Sequence, residues 1–250
     1  MRFGLEPRSG ETGGPRPDAP GNREAADSLA ELGRLIESCR ACPRLVAWRE
    51  QVAAERRAAF RDQEYWGRPV PGFGDRNASI VVVGLAPAAH GANRTGRIFT
   101  GDRSGDWLFA SMNRVGLANQ PLSVSRGDGL ELGGVWVTAA VRCAPPANRP
   151  TPEERDRCRP WLEAELGALG PVRVIVVLGQ FAYEVLARML GVRPRPRFGH
   201  GVEVSVPAGP TILCSYHPSQ QNTFTGRLTE PMLDAVLSRA ADLAGLARRP

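Results

Sequence analysis

Four cysteines stand in two pairs that could close on one metal centre: Cys39 and Cys42 in 39-CRAC-42, and Cys143 and Cys158 at the ends of 143-CAPPANRPTPEERDRC-158. Four thiolates brought together bind either one tetrahedral zinc ion or one iron–sulfur cluster. The fifth, Cys214, sits inside an apolar strand pattern and is expected to be a buried core thiol. The other concentration of chemistry is 84-GLAPAAHGANRTGRIFTGD-102, which follows the apolar run 79-SIVVV-83. A buried strand that runs into glycines, small residues and donors is built to hold something at its carboxyl end. What the chain lacks also matters, since it contains no lysine. A P-loop needs a lysine on its phosphates and an ordinary Schiff base needs a lysine amine, so both are excluded, apart from a lyase that uses the terminal amine.

These residues need a frame. Four short runs read as buried parallel strands: 79-SIVVVG-84, 134-GVWVTAAV-141, 172-VRVIVVLG-179 and 210-PTILCSY-216. Helical patterns lie between and after them at 105–116, 152–169, 180–190 and 229–247. Thr151 before Pro152 and Glu154, and Thr229 before Glu230 and Pro231, have the form of helix starts. Strands alternating with helices imply right-handed crossovers and an open sheet covered on both faces. The stretch 202-VEVSVP-207 is expected to add an edge strand or hairpin. In such a sheet ligands sit beyond the carboxyl ends of the strands, which here carry GLAPAAHG, VRCAPPANRP, GQFAY and YHPSQQN, so the four loops should converge on one site.

Composition sets the outer bounds. With 250 residues, 42% hydrophobic and 23% charged, the chain suits one α/β domain, expected over residues 27–250. Residues 1–26 are Gly/Pro/Arg-rich, lack the apolar middle of a signal peptide and read as a disordered tail. No apolar run is long enough to span a bilayer, and the expectation is a cytoplasmic protein with no membrane partner. Of the net charge of +6, residues 171–250 supply +4, with nine Arg against five Asp plus Glu. That balance permits a polyanionic partner without requiring one.

Taken together, GLAPAAHGANRTGRIFTGD, VRCAPPANRPTP, YHPSQQN and the four cysteines resemble the uracil-DNA glycosylase superfamily, specifically its family 5, the type B enzymes. The resemblance covers about residues 35 to 245. It implies a three-layer sandwich around a four-stranded parallel sheet. It also implies a [4Fe–4S] cluster on Cys39, Cys42, Cys143 and Cys158 in preference to zinc, and excision of uracil and other deaminated bases from single- or double-stranded DNA. A monomer associated with the nucleoid is expected.

The residues make chemical sense under that resemblance. A glycosylase takes the nucleotide out of the duplex and holds its base in a fitted pocket. Phe99 is suited to stack on the base, while Gly84, Ala86, Pro87 and Ala88 let backbone approach it. Bond cleavage leaves positive charge on the sugar and negative charge on the base. His217 is expected to donate to the base O2, and Asn148 to support the base or the attacking water. The first loop has no acid, unlike better-known branches, so Asp102 is assigned to water positioning or oxocarbenium stabilisation, against the plainer reading of a helix cap. Family 4 relatives carry an asparagine where this chain has Ala140, and loss of that reader implies a broadened range that takes in hypoxanthine and extends to xanthine or etheno adducts.

Arg94, Arg97, Arg103, Arg142 and Arg149 are candidate phosphate contacts, with Ser219 and Asn222 in 219-SQQNTFTGRLT-229, a loop placed to fill the gap left by a flipped nucleotide. The segment 193-RPRPRFGH-200 could flank the duplex, and His90 and His200 have no assigned role. Two other classes compete. A metal-dependent hydrolase would need more than three histidines without paired spacing, and a nonenzymatic nucleic-acid-binding module would use its four cysteines for structural zinc.

Overall fold

A computed structural model describes residues 29–246, so the tail expected over residues 1–26 lies outside the described residues. In chain order the elements are α1 (Leu29–Glu37), α2 (Pro43–Glu55), β1 (Phe73–Gly74), β2 (Ile80–Gly84), α3 (Ala92–Thr95), α4 (Arg103–Arg114) and β3 (Val135–Ala139). They continue with α5 (Pro152–Ala168), β4 (Val174–Leu178), α6 (Gln180–Met189), β5 (Glu203–Ser205), β6 (Thr211–Ser215), α7 (Gln220–Phe224) and α8 (Glu230–Ala244).

The sheet order is β1-β3-β2-β4-β6-β5. Its centre is the expected set of four parallel strands, β3-β2-β4-β6. Antiparallel edge strands enlarge it to six, with β1 on β3 and β5 on β6. The second edge is the one expected around 202–207. The first escapes sequence patterning because it is only two residues long, and its Gly74 (φ 134) brings backbone where a Cβ would stand 2.2 Å from the Val135 carbonyl oxygen.

Side-chain alternation along the central strands divides the core between the two faces. Ile80 and Val82 of β2, with Val174 and Val176 of β4, pack against Leu108, Phe109 and Met112 of α4 and Leu233, Val236 and Leu237 of α8. Val81, Val83, Ile175 and Val177 point the other way, against Leu162 of α5 and Ala182, Val185 and Leu186 of α6. Each fully buried Val or Leu is worth roughly 1.5–3 kcal/mol, so these interleaved faces and not helix propensity fix the layers. Cys214 is fully buried in the second cluster, as its strand pattern implied.

Helix starts follow the local sequence. Thr151 caps α5 through its Oγ1, which accepts from the Glu154 amide at 3.2 Å, while Glu154 Oε2 accepts from the Thr151 amide at 2.8 Å. Such a capping box contributes about 1 kcal/mol. The same Glu154 carboxylate receives Arg44 Nε at 2.8 Å and so ties α2 to α5. A third apolar cluster forms there from Leu32 and Ile36 of α1, Leu45 of α2 and Trp161 of α5, together with Cys42, Cys143 and Cys158.

Candidate active site

The loop that leaves β2 turns on contacts that only glycine permits. A Cβ on Gly84 would stand 2.6 Å from Cζ of Phe99, and one on Gly105 would stand 1.8 Å from the Phe99 carbonyl oxygen. Phe99 itself has φ 53 and is 8% exposed. A bulky residue in left-handed backbone is strained, and the surrounding glycines are what hold it there. Its ring lies 5.8 Å from that of His217, at 34° between planes. Past the strand ends, the Ala140 and Val141 amides donate to the carbonyls of Gly84 and Leu85, both at 3.0 Å, so the β2 and β3 loops leave the sheet together.

Asp102 does two things at once. It caps α4, with Oδ1 accepting from the Gly105 amide at 3.0 Å. Its Oδ2 lies against Gly91, where a Cβ would come within 2.1 Å. Burial pushes the carboxyl above its ordinary pKa, against the pull of the Gly105 and Ser104 amides. The cap reading and the chemical reading are therefore compatible.

His217 follows β6 by two residues. Burial lowers its pKa to about 4, so the imidazole is neutral at physiological pH and can donate a hydrogen bond without carrying charge. Its carbonyl accepts from Asn222 Nδ2 at 2.8 Å. Asn148 ends a 3-10 turn over Pro146–Asn148 and, with Ala147, gives two consecutive residues of left-handed backbone, at φ 51 and 55.

These loops border an open groove of about 820 Å³, whose wall includes Arg57, Ala88, His90, Arg94, Asp102, Arg103, Asn148 and Ser219. Arg103 is exposed and stacks its guanidinium 5.8 Å from the Phe224 ring, itself 71% exposed on α7. Arg94 faces the groove while bonding the carbonyls of His90 and Gly101, both at 2.8 Å. Arg149 is exposed and follows the groove-lining Asn148 in sequence.

Several expected contacts are corrected by burial. Arg97 is 6% exposed and donates to Thr100 Oγ1 (3.0 Å), Ser123 Oγ (2.7 Å) and Asp128 Oδ2 (2.6 Å), which leaves it no reach to a phosphate. Arg142 is fully buried on Glu165 Oε2 at 2.7 Å and also bonds Thr138 Oγ1. Asn222 turns its amide inward onto the His217 carbonyl. Small residues of the expected base pocket are closed in as Phe99 is, with Ala140 in the second core cluster and Ala86 packed against the third. Pro87 is buried at the mouth of the loop. Conversely, Arg57 and His90 line the groove with no motif to announce the first and no role foreseen for the second. His200 accepts from the Tyr216 amide at 3.2 Å and braces the strand end.

The four cysteines of the two pairs line one cavity of about 20 Å³. Cys143 Sγ accepts from Arg49 Nη1 at 2.9 Å and Cys158 Sγ from the Arg142 amide at 3.2 Å. Burial pushes the Cys143 thiol up to about 11, with Arg49 opposing it. Among the described residues no three His, Cys, Asp or Glu side chains are close enough to hold a single metal ion. The cavity connects to the first loop, since Asn93, fully buried on α3, donates to the Arg49 carbonyl at 3.2 Å.

A parallel sheet whose strand-end loops carry a neutral imidazole and a capped carboxylate beside an arginine-lined groove defines an α/β enzyme suited to a polyanionic substrate. Residues 71–241 match the family profile described as the uracil DNA glycosylase superfamily, and the chain belongs to that superfamily. It is 57% identical over 224 residues to a type-5 uracil-DNA glycosylase of Mycobacterium bovis, covering 88% of this chain and 84% of the relative. It is 55% identical over 214 residues to the type-5 uracil-DNA glycosylase of Thermus thermophilus, covering 85% and 97%. A type-4 uracil-DNA glycosylase of Pyrobaculum aerophilum is 32% identical over 166 residues, covering 66% and 67%.

Proposed function

We propose that this uracil-DNA glycosylase hydrolyses the N-glycosidic bond of uracil and of other deaminated bases in DNA, and leaves an abasic site in an uncut strand. The observation that carries the reading is the neutral His217 stacked beside strained Phe99 where the loops after β2 and β6 meet. As the bond breaks, negative charge grows on the base, and a fixed neutral donor at O2 stabilises it without having stabilised the ground state equally. Asp102 bears the complementary task, holding water or the positive sugar, from the groove wall, where Oδ1 serves the helix cap and Oδ2 lies against Gly91. Phe224, exposed at the end of α7 beyond His217, has the size and place to fill the gap that the flipped nucleotide leaves.

The wider base range is supported by what stands at the end of β3, where Ala140 offers no bidentate hydrogen bonds to a base edge. Monofunctional chemistry is supported by the absence of lysine. A uracil-containing duplex treated with the enzyme should be nicked only after alkali. Scission without alkali, trapped by borohydride, would contradict the monofunctional claim.

Cys39, Cys42, Cys143 and Cys158 would hold a [4Fe–4S] cluster. Such a cluster takes one thiolate at each of four irons, so its ligands stand farther apart than those of a lone ion, which suits thiols that share a cavity without meeting single-ion spacing. The buried guanidinium of Arg49 offsets thiolate charge there. The group would clip α1 and α2 to the sheet and supply no chemical step. Cys39→Ala should lower iron content and melting temperature together, and a variant that keeps both at wild-type values would remove this ligand set. The enzyme is read as a cytoplasmic, nucleoid-associated monomer acting on single- or double-stranded DNA.

A further inference from the structure

Tyr65 lies in the link between α2 and β1 and is buried, outside every motif of the sequence. Its hydroxyl accepts from the Arg57 amide at 3.3 Å and stands 3.1 Å from His90 Nδ1, with the rings edge to face. Among the described residues, Nδ1 is the only acceptor within reach of the hydroxyl proton. A Tyr65 that donates to Nδ1 fixes the imidazole as the tautomer protonated on Nε2. No described residue accepts from that Nε2–H, and His90 shares the groove wall with Arg57 and Arg94. Arg94 further holds the His90 carbonyl at 2.8 Å, so backbone and ring are both anchored.

We propose that His90, with its Nε2–H aimed by Tyr65, donates a hydrogen bond to a backbone phosphate of the bound DNA strand. The inference rests on the glycosylase reading only for the identity of the strand. Burial, and the neighbouring guanidiniums of Arg57 and Arg94, lower the His90 pKa from its ordinary value. The contact is therefore a neutral one, which adds affinity without releasing a counterion. Tyr65 is a positioning residue that acts through His90.

The test measures binding of the full chain to a duplex carrying a tetrahydrofuran abasic-site analogue, which it cannot cleave, across a series of salt concentrations. His90→Asn puts its amide near the Nδ1 place and should weaken binding about tenfold, the scale of one hydrogen bond to a charged acceptor, with an unchanged salt slope. His90→Gln carries an N–H to the Nε2 place and should bind within about threefold of wild type. In the wild-type protein, imidazole nitrogen NMR should show the proton on Nε2, and Tyr65→Phe should give a mixture of tautomers with an intermediate affinity. Wild-type binding by His90→Asn, no rescue by Gln, a salt slope reduced by about 0.9, or a proton on Nδ1 would each overturn the proposal. The NMR measurement stands even where a variant fails to fold, and uracil excision by the wild-type enzyme reports separately on the glycosylase reading.

Discussion

Arginine does opposite work in two regions of this molecule. Arg57 and Arg103 on the groove wall, and Arg149 next in sequence to the groove-lining Asn148, hold exposed guanidiniums with no carboxylate partner among the described residues. On the packed side of the same loops, Arg97 and Arg142 are buried on Asp128 and Glu165. In sequence the two sets look alike, each a cation beside a strand-end motif. What separates them is a carboxylate supplied from elsewhere, 31 residues away for Arg97 and 23 for Arg142. A cation with such a partner becomes part of the scaffold, and one without it remains available to phosphate.

The strongest way to break this comparison is to treat one arginine of each kind alike. Arg97→Ala leaves Asp128 buried and unpaired and should cost about 3–5 kcal/mol in a denaturant titration. Arg103→Ala should change stability by less than about 0.5 kcal/mol and lower the salt slope of DNA binding by about 0.9. Equal effects of the two would dissolve the distinction. The pair also carries a pH signature. Although burial raises the Asp128 carboxyl, the Arg97 guanidinium and the amides of Val124, Leu130 and Ser125 hold it well below the usual carboxylate range. A carboxyl depressed in the folded state contributes stability that is present above its unfolded pKa of about 4 and is lost as pH falls toward the folded value. That acid loss should be absent in Asp128→Asn.

Ala140 sharpens the same contrast with a smaller expected effect. It is fully buried in the core, so Ala140→Asn should destabilise by about 2 kcal/mol through overpacking and an unsatisfied amide. In the fraction that folds, a lower rate on hypoxanthine relative to uracil is expected from the added amide, and unchanged relative rates would remove Ala140 from the account of base range.

The four central strands were legible because buried parallel strands read as continuous Val and Ile runs, and α5 because Thr151, Pro152 and Glu154 spell a capping box. Other elements were not: α3 and α7 have four and five residues, too few for a helical period, β1 has two, and α1 and α2 were missed although they have nine and thirteen, the buried face of α2 being interrupted by Arg49. The sheet rule led to the two pairings found at the strand ends, Phe99 with His217 and Asp102 with Asn148 on the groove wall. The roles of Arg97, Arg142 and Asn222 did not, because each is decided by a neighbour that only tertiary packing brings. Tyr65 and Arg57 lie in an unpatterned link, and nothing in their spacing announces the contact with His90.

The central claim is that a neutral His217 acts on the transition state and not on substrate binding. Its most direct test is single-turnover excision of uracil by His217→Ala under saturating enzyme, with affinity for an uncleavable abasic-site analogue duplex measured beside it. The account predicts a rate lower by about 10²–10³-fold, with affinity within about threefold of wild type. A wild-type single-turnover rate, or a loss explained entirely by weaker binding, would contradict it.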